Sequence, residues 1–169
     1  MADNDSGYRD IPEADRKKAE TFFEKAAAVG GAGQYDFAIE MFIQGLGVDP
    51  ESVEAHQSLR DIALKRKVSG GKAMGMFEAM KFKRPSKDDK QNMLNAEKLL
   101  AYDPGNTDHM LSVVQNAARG GFYDTVLWMG PILLKANSEA KKPEFNKYIQ
   151  LRDVYRSIKQ WKLATEACQ

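Results

Sequence analysis

GQYDFAIEMFIQGLGVDP, residues 33–50, is the stretch that predicts the fold. Ala38, Phe42 and Gly45 recur at helical spacing, so they lie on one face of a helix. The two small residues allow a neighbouring helix to approach closely, and Phe42 fills the space between them. Pro50 ends the helix because it has no N–H group and disfavours helical geometry in the residue before it. The stretch therefore predicts a helix that packs tightly against another helix.

This pattern resembles the second helix of a tetratricopeptide repeat (TPR), whose unit is a helix–turn–helix of about 34 residues. Similar arrangements of small and large residues recur along the chain, and they predict that Leu59 and Val113 are buried between paired helices together with Ala38 and Phe42. The resemblance implies an all-α fold, a right-handed superhelical solenoid of TPR-like helix–turn–helix repeats. We expect a disordered N-terminal lead-in over residues 1–9, followed by a TPR-like domain over 10–169. The predicted repeats cover residues 19–52, 53–106 (with a basic insertion at 66–88), 107–144 and 145–169 (truncated).

Composition limits where the protein works and what it binds. The chain has 169 residues, 43% of them hydrophobic and 29% charged, with a net charge of +1 and one cysteine. It has neither a run of 18 apolar residues nor a signal peptide at its acidic start. A single cysteine fits a reducing compartment, so we predict a cytoplasmic protein. Nucleic acid is not an expected partner, because the charge is near neutral and aromatic residues are sparse.

The end of the chain also carries an expectation. Cys168-Gln169 falls halfway along the second helix of repeat 4, and a solenoid needs a polar cap over its last apolar face. The sequence therefore predicts the N-terminal TPR portion of a larger protein. Self-association through the uncapped C-terminal repeat is a further candidate interaction.

The sequence contains no recognisable catalytic group. His56 falls in a core position and His109 near a helix start, and neither has a second histidine or a cysteine at metal-ligand spacing. Cys168 has no base placed beside it, and the glycine-rich pairs lie between helices rather than after a strand. We therefore predict that the chain is not an enzyme and holds neither a metal nor a cofactor.

The resemblance to TPR arrays implies a site for a protein or peptide. Such arrays hold extended peptides on a concave face formed by the first helices of their repeats. The alternative is a face that is simply hydrated. The clamp that chaperone-binding members use for a C-terminal carboxylate is absent, because Phe23 and Ala27 occupy two of its positions. Mapped onto this chain, the expected partner-binding residues are Phe23, Gln57, Asp61, Leu111, Gln115, Arg119, Asp153 and Arg156.

The insertion is the segment that least resembles the family. Residues 65–87 hold eight basic residues and one acid, a charge of +7, which leaves −6 for the rest of the chain. Apolar residues recur within it at helical spacing. The segment is interpreted either as a decoration packed on the solenoid or as an adaptor that docks to an anionic membrane surface or an acidic partner. The residues on which this choice rests are Lys72, Met76, Phe77, Met80, Lys81, Lys83 and Arg84.

Arg60 occupies a position that the family gives to a glycine or an alanine. A guanidinium in so tight a slot must form a hydrogen bond or reach water. Asn92 stands at the facing position of the next helix, which makes it a candidate partner for Arg60.

Overall fold

The computed structural model describes residues 7–168, and within that range the regular structure is entirely helical, with no β-strand. The predicted all-α class is therefore confirmed. Successive helices pack in neighbouring pairs. Nine helices are formed within residues 7–168: α1 (Glu13–Gly31), α2 (Tyr35–Val48), α3 (Val53–Val68), α4 (Met76–Lys83), α5 (Asp89–Tyr102), α6 (Thr107–Gly120), α7 (Tyr123–Ser138), α8 (Phe145–Ser157) and α9 (Trp161–Glu166).

The stretch that predicts the fold forms α2 and packs as its pattern requires. Ala38 and Phe42 are buried against α1, and the ring of Phe23 lies over Gly45, where any Cβ atom would clash with it. Phe23 and Phe42 stack with their ring centroids 6.2 Å apart. The burial predicted for Ala38, Phe42, Leu59 and Val113 is confirmed.

The packing order places α6 between three other helices. α6 contacts α5, α7 and α8, whereas α3 contacts α1, α2, α5 and α7. Among the described residues, α3 and α6 make no contact with each other. Two of the four helices that the resemblance places side by side on a concave face are therefore not neighbours.

A buried polar network joins α3, α5 and α7. The Nδ1 atom of His56 lies 2.5 Å from the Oε1 atom of Glu97, and its Nε2 atom lies 2.8 Å from the carbonyl oxygen of Pro50. The carboxylate of Glu51 accepts hydrogen bonds from the Thr125 hydroxyl and from the first N–H groups of α7. The indole of Trp128 stacks on the His56 ring at 5.1 Å. This network fixes the junction of the three helices.

Burial and charge act in opposite directions on this network. Burial disfavours a charged imidazole, but the negative charge of Glu97 and the hydrogen bonds to Glu97 and Pro50 outweigh it and raise the pKa of His56. Burial also raises the pKa of Glu51, against the hydrogen bonds that it accepts from Asp124 and Thr125. The cavity beside His56 and Glu97 encloses about 10 Å³, roughly the space of one water molecule. The geometry therefore fits a structural role for His56.

The candidate contact between Arg60 and Asn92 is not formed. The guanidinium of Arg60 donates to the carbonyl oxygen of Pro104 at 3.1 Å, and burial lowers the pKa of Arg60. Asn92 instead binds the backbone N–H and C=O groups of Ser86, at 2.7 and 3.0 Å. Asn92 therefore anchors the loop before α5, and its amide is engaged there.

The predicted lead-in lies partly outside the described residues, since residues 1–6 are not among them. Residues 7–9 run along the turn between α6 and α7, where the N–H group of Arg9 donates to the carbonyl oxygen of Gly121 at 2.9 Å. Within residues 7–168, none of the helices combines the length and the apolar character needed to cross a bilayer.

Candidate ligand-binding groove

α6 carries a row of polar side chains beside its apolar face. The helix begins where the side chain of Asn106 accepts hydrogen bonds from the N–H groups of Asp108 and His109, at 3.1 and 3.2 Å. It ends at Gly121, whose φ of 80° suits a glycine at this position. Its buried apolar residues are Met110, Leu111, Val113, Val114 and Ala117, and Asn116 is buried as well. We call the other row, Ser112, Gln115, Asn116 and Arg119, the polar stripe.

The first cleft beside the polar stripe is basic. It lies between the end of α4, α5 and α6 and encloses about 290 Å³. Phe82, Lys83 and Arg84 form one wall, and His109 and the polar stripe form the opposite one. We call this space the basic cleft.

Charge in the basic cleft is almost entirely positive. Among residues 7–168, no acidic side chain belongs to its lining. Arg119 is oriented by a 2.6 Å hydrogen bond to the Oδ1 atom of Asn116 and by an ion pair with Asp89 at 3.4 Å. Burial and the nearby charge of Lys83 lower the pKa of His109, despite the opposing influence of two aspartates. The cleft is therefore suited to an anion.

A second cleft continues from the first along the other side of the polar stripe. It lies between α6 and α8 and encloses about 440 Å³, with Gln150 and Asp153 among its lining residues. Gln115 spans it by donating a 2.9 Å hydrogen bond to Gln150. Gln115 and Arg119 line both clefts, so the two adjoin. We call this space the α6–α8 cleft, and the two clefts together the α6 groove.

The structure gathers only some of the expected partner-binding residues. Gln115, Arg119 and Asp153 line the α6 groove. Gln57 and Asp61 instead bind each other on α3 at 2.9 Å, and Gln57 also accepts a hydrogen bond from the indole N–H group on α7.

The remaining three expected residues have other surroundings. Phe23 is half-buried and stacks on α2. Leu111 is buried in the core, so its side chain is not presented to a partner. Arg156 is exposed on α8 but does not belong to the lining of either cleft.

The groove also contains polar residues that were not among the expected ones, including His109, Asn116 and Gln150. A signal for Asn116 exists in the sequence, because the polar stripe has the spacing i, i+3, i+4, i+7 of a single helix face. Lys83 and Arg84, which form the opposite wall of the basic cleft, were predicted as part of the basic insertion and not as part of the peptide site. Nothing local in the sequence indicates that these two basic residues face α6.

α4 leaves its apolar residues largely exposed. Met76, Phe77 and Met80 have relative exposures of 77%, 86% and 48%, while Ala79 is buried and Phe82 is half-buried. Exposed basic residues surround them, including Lys72 before the helix and Lys81 within it. We call Met76, Phe77 and Met80 the α4 apolar surface.

Two further features bear on the remaining expectations. An apolar cleft of about 510 Å³ lies between α7, α8 and the end of α9, where self-association is predicted, and Cys168 is in its lining. Among residues 7–168, no group of three or more histidine, cysteine, aspartate or glutamate side chains is placed to hold a metal ion.

Comparison with known proteins adds no family. No protein-family model, curated protein sequence or solved structure matches this chain.

Proposed function

We propose that this chain is a cytoplasmic, TPR-like solenoid that acts as a protein–protein interaction scaffold and binds an extended segment of another protein in the α6 groove. The main observation in support is that two adjoining clefts share Gln115 and Arg119. Both residues were expected in a peptide site from the TPR resemblance. The neighbouring helix pairs and the small residues at their contacts support the repeat interpretation.

The dimensions of the groove favour an extended chain as its occupant. The two clefts together enclose several hundred cubic ångströms along α6, which is more than a single side chain needs. Their walls offer amide, hydroxyl and charged groups, which can pair with the backbone and polar side chains of a peptide. The clefts lie on the two sides of the polar stripe, one lined by α5 and the other by α8, so a segment that crosses the stripe would contact both helices.

The test is a selection of peptides from a random display library on the full chain, followed by affinity measurements on variants. Arg119→Glu reverses a charge that both clefts share and should weaken selected peptides at least about tenfold, about 1.4 kcal/mol. Lys162→Glu makes the same charge change at an exposed position on α9 outside both clefts and should leave affinity unchanged. Circular dichroism of both variants checks that helicity is retained. Equal affinity for Arg119→Glu and the unchanged chain would reject the groove as the site.

A second function is favoured by a separate observation, the exposure of the α4 apolar surface. Three neighbouring apolar side chains beside basic residues suit docking onto an anionic bilayer, where the apolar groups insert and the cations attract lipid headgroups. Each lysine or arginine near such a surface contributes about 1 kcal/mol. We propose this docking as the alternative role of the segment.

Sedimentation with vesicles tests the second function. Binding to phosphatidylcholine vesicles that contain phosphatidylserine should fall steeply with added salt, because salt screens the attraction of the basic residues. Phe77→Ala should weaken binding, while Phe145→Ala, which removes another largely exposed phenyl ring from α8, should not. Binding that resists salt, or that is equal on vesicles without phosphatidylserine, would reject the membrane role. Binding of an acidic peptide by α4 without vesicle binding would assign the surface to a protein partner.

A further inference from the structure

The basic cleft concentrates positive charge in a chain that is nearly neutral overall. Lys83, Arg84 and Arg119 line one recess, and among the described residues no acidic side chain shares that lining. Asp89 pairs with Arg119 at its margin, which leaves a net charge of about +2. The chain as a whole carries +1. Positive charge collected in a recess, rather than spread over a convex surface, attracts an anion into a defined position.

The type of anion follows from the groups that face it. Guanidinium groups donate paired hydrogen bonds to phosphate oxygens, and a lysine adds a compact charge. A phosphate monoester carries nearly two negative charges at neutral pH, which matches the net charge of the recess, whereas a carboxylate carries one. Building on the proposed function, we infer that the basic cleft binds a phosphate monoester on the protein segment that occupies the α6 groove.

The position of the recess favours a protein segment over a lipid as the source of the phosphate. The basic cleft opens into the α6–α8 cleft through Gln115 and Arg119, so a chain that places a phosphate in one can continue into the other. The groups that would enter a bilayer, Met76 and Phe77, do not belong to its lining.

His109 supplies a reporter inside the site. It lines the cleft and faces Lys83, with Asp103 and Asp108 also acting on it. Burial and Lys83 lower its pKa, because both disfavour a charged imidazole. A phosphate dianion beside Lys83 offsets that repulsion and favours the protonated ring. The pKa of His109 therefore rises when the site is filled, and phosphate binds more tightly when the ring is protonated.

The test uses the full chain and two small probes of similar size, phenyl phosphate and benzoate. Proton NMR follows the His109 ring during pH titrations with and without each probe. His56 is enclosed in the core and serves as an internal control. Phenyl phosphate should raise the pKa of His109 and bind at least about tenfold more tightly than benzoate, about 1.4 kcal/mol.

Matched variants separate the cleft from the general charge of the insertion. Lys83→Gln combined with Arg84→Gln should weaken phenyl phosphate at least about tenfold. Lys72→Gln combined with Lys81→Gln removes the same charge from the same segment outside the cleft lining and should leave affinity unchanged. Equal losses in both double variants would overturn the assignment, because the attraction would then be a diffuse field. Equal binding of benzoate and phenyl phosphate would overturn it as well.

The inference and the proposed function can fail separately. A groove peptide that loses affinity in Arg119→Glu, yet binds equally with serine or phosphoserine opposite the basic cleft, keeps the proposed function and overturns the phosphate site. Phenyl phosphate binding without any groove peptide overturns the proposed function and the peptide as the source. The chain could also bind vesicles that contain phosphatidic acid through Lys83 and Arg84 while it does not bind phosphoserine peptides. That result would identify a lipid as the source of the phosphate and overturn the inference.

Discussion

Replacing Glu97 with glutamine should change how pH affects the stability of the fold. His56 is enclosed between Glu97 and the Pro50 carbonyl oxygen, at 2.5 and 2.8 Å, and its pKa is raised above the usual 6.5. The folded protein therefore holds a proton that the unfolded chain releases. The stability from this pair is fully present below pH 6.5 and is lost as pH rises through the folded pKa. Without the charge of Glu97, burial lowers the pKa of His56. The loss of stability with rising pH then disappears.

The size of the change in the free energy of unfolding follows from the burial of the His56–Glu97 pair. Between the two pKa values of His56, the folded and unfolded states differ by at most one bound proton, so the free energy of unfolding falls by at most about 1.4 kcal/mol per pH unit. Removing one partner of a buried pair costs about 3–5 kcal/mol. Domains of this kind are stable by about 5–15 kcal/mol, so Glu97→Gln should remain folded but with much lower resistance to urea.

Urea unfolding followed by circular dichroism between about pH 7 and about pH 9 measures both effects. His109 contributes little in this window, because its pKa is lowered in the folded state and its unfolded value of 6.5 lies below the window, and the pKa of Tyr155, raised to about 12, lies above it. Glu51 has a raised pKa and contributes with the same sign as His56, so Glu51→Gln is measured alongside. Unchanged or rising stability of the native chain across the window would refute the argument. The argument would also be refuted if the free energy of unfolding of Glu97→Gln fell with pH at the same slope as that of the native chain.

Three further changes test the packing. Gly130→Ala should lose about 1–3 kcal/mol in thermal unfolding, because a Cβ atom there clashes with the buried ring of Tyr155, whereas Gly47→Ala meets only Leu94 at 3.8 Å and should be neutral or stabilising. Tyr155→Phe should flatten the loss of stability above about pH 10 in alkaline unfolding, because burial raises the pKa of Tyr155 to about 12 and the folded state keeps its proton. Asn106→Ala should cost about 1 kcal/mol in urea unfolding, since the first N–H groups of α6 lose their acceptor.

Local patterns in the sequence suffice for the individual helices. Ala38, Phe42 and Pro50 define α2 because helix spacing and the missing N–H group of proline act within a few residues. The same reasoning predicts the burial of Leu59 and Val113, which the structure confirms. Information of this kind is contained in single helices and needs no knowledge of how they assemble.

The assembly of α3 depends on contacts that no local pattern reveals. His56 and Glu97 are separated by 41 positions, and neither residue by itself indicates a buried ion pair. Because α3 packs on α7 and not on α6, the polar residues of α3 do not continue the polar stripe. The TPR resemblance could place Asp61 and Gln115 in equivalent positions, but it could not specify which helices touch. Predicting the groove therefore required the packing of α6 with α5 and α8.

The proposed roles of the basic cleft and of the α4 apolar surface depend on the same two cationic side chains. Lys83 and Arg84 line the cleft at the end of α4, and they also stand beside the apolar residues exposed on that helix. If each contributes about 1 kcal/mol at an anionic bilayer, a phosphate that neutralises both lowers membrane affinity by about 2 kcal/mol, roughly thirtyfold. A phosphorylated segment in the groove and a bilayer on α4 therefore oppose each other. The two proposed roles are alternatives for one charged corner of the fold, and phosphorylation of the partner would decide which of them is filled.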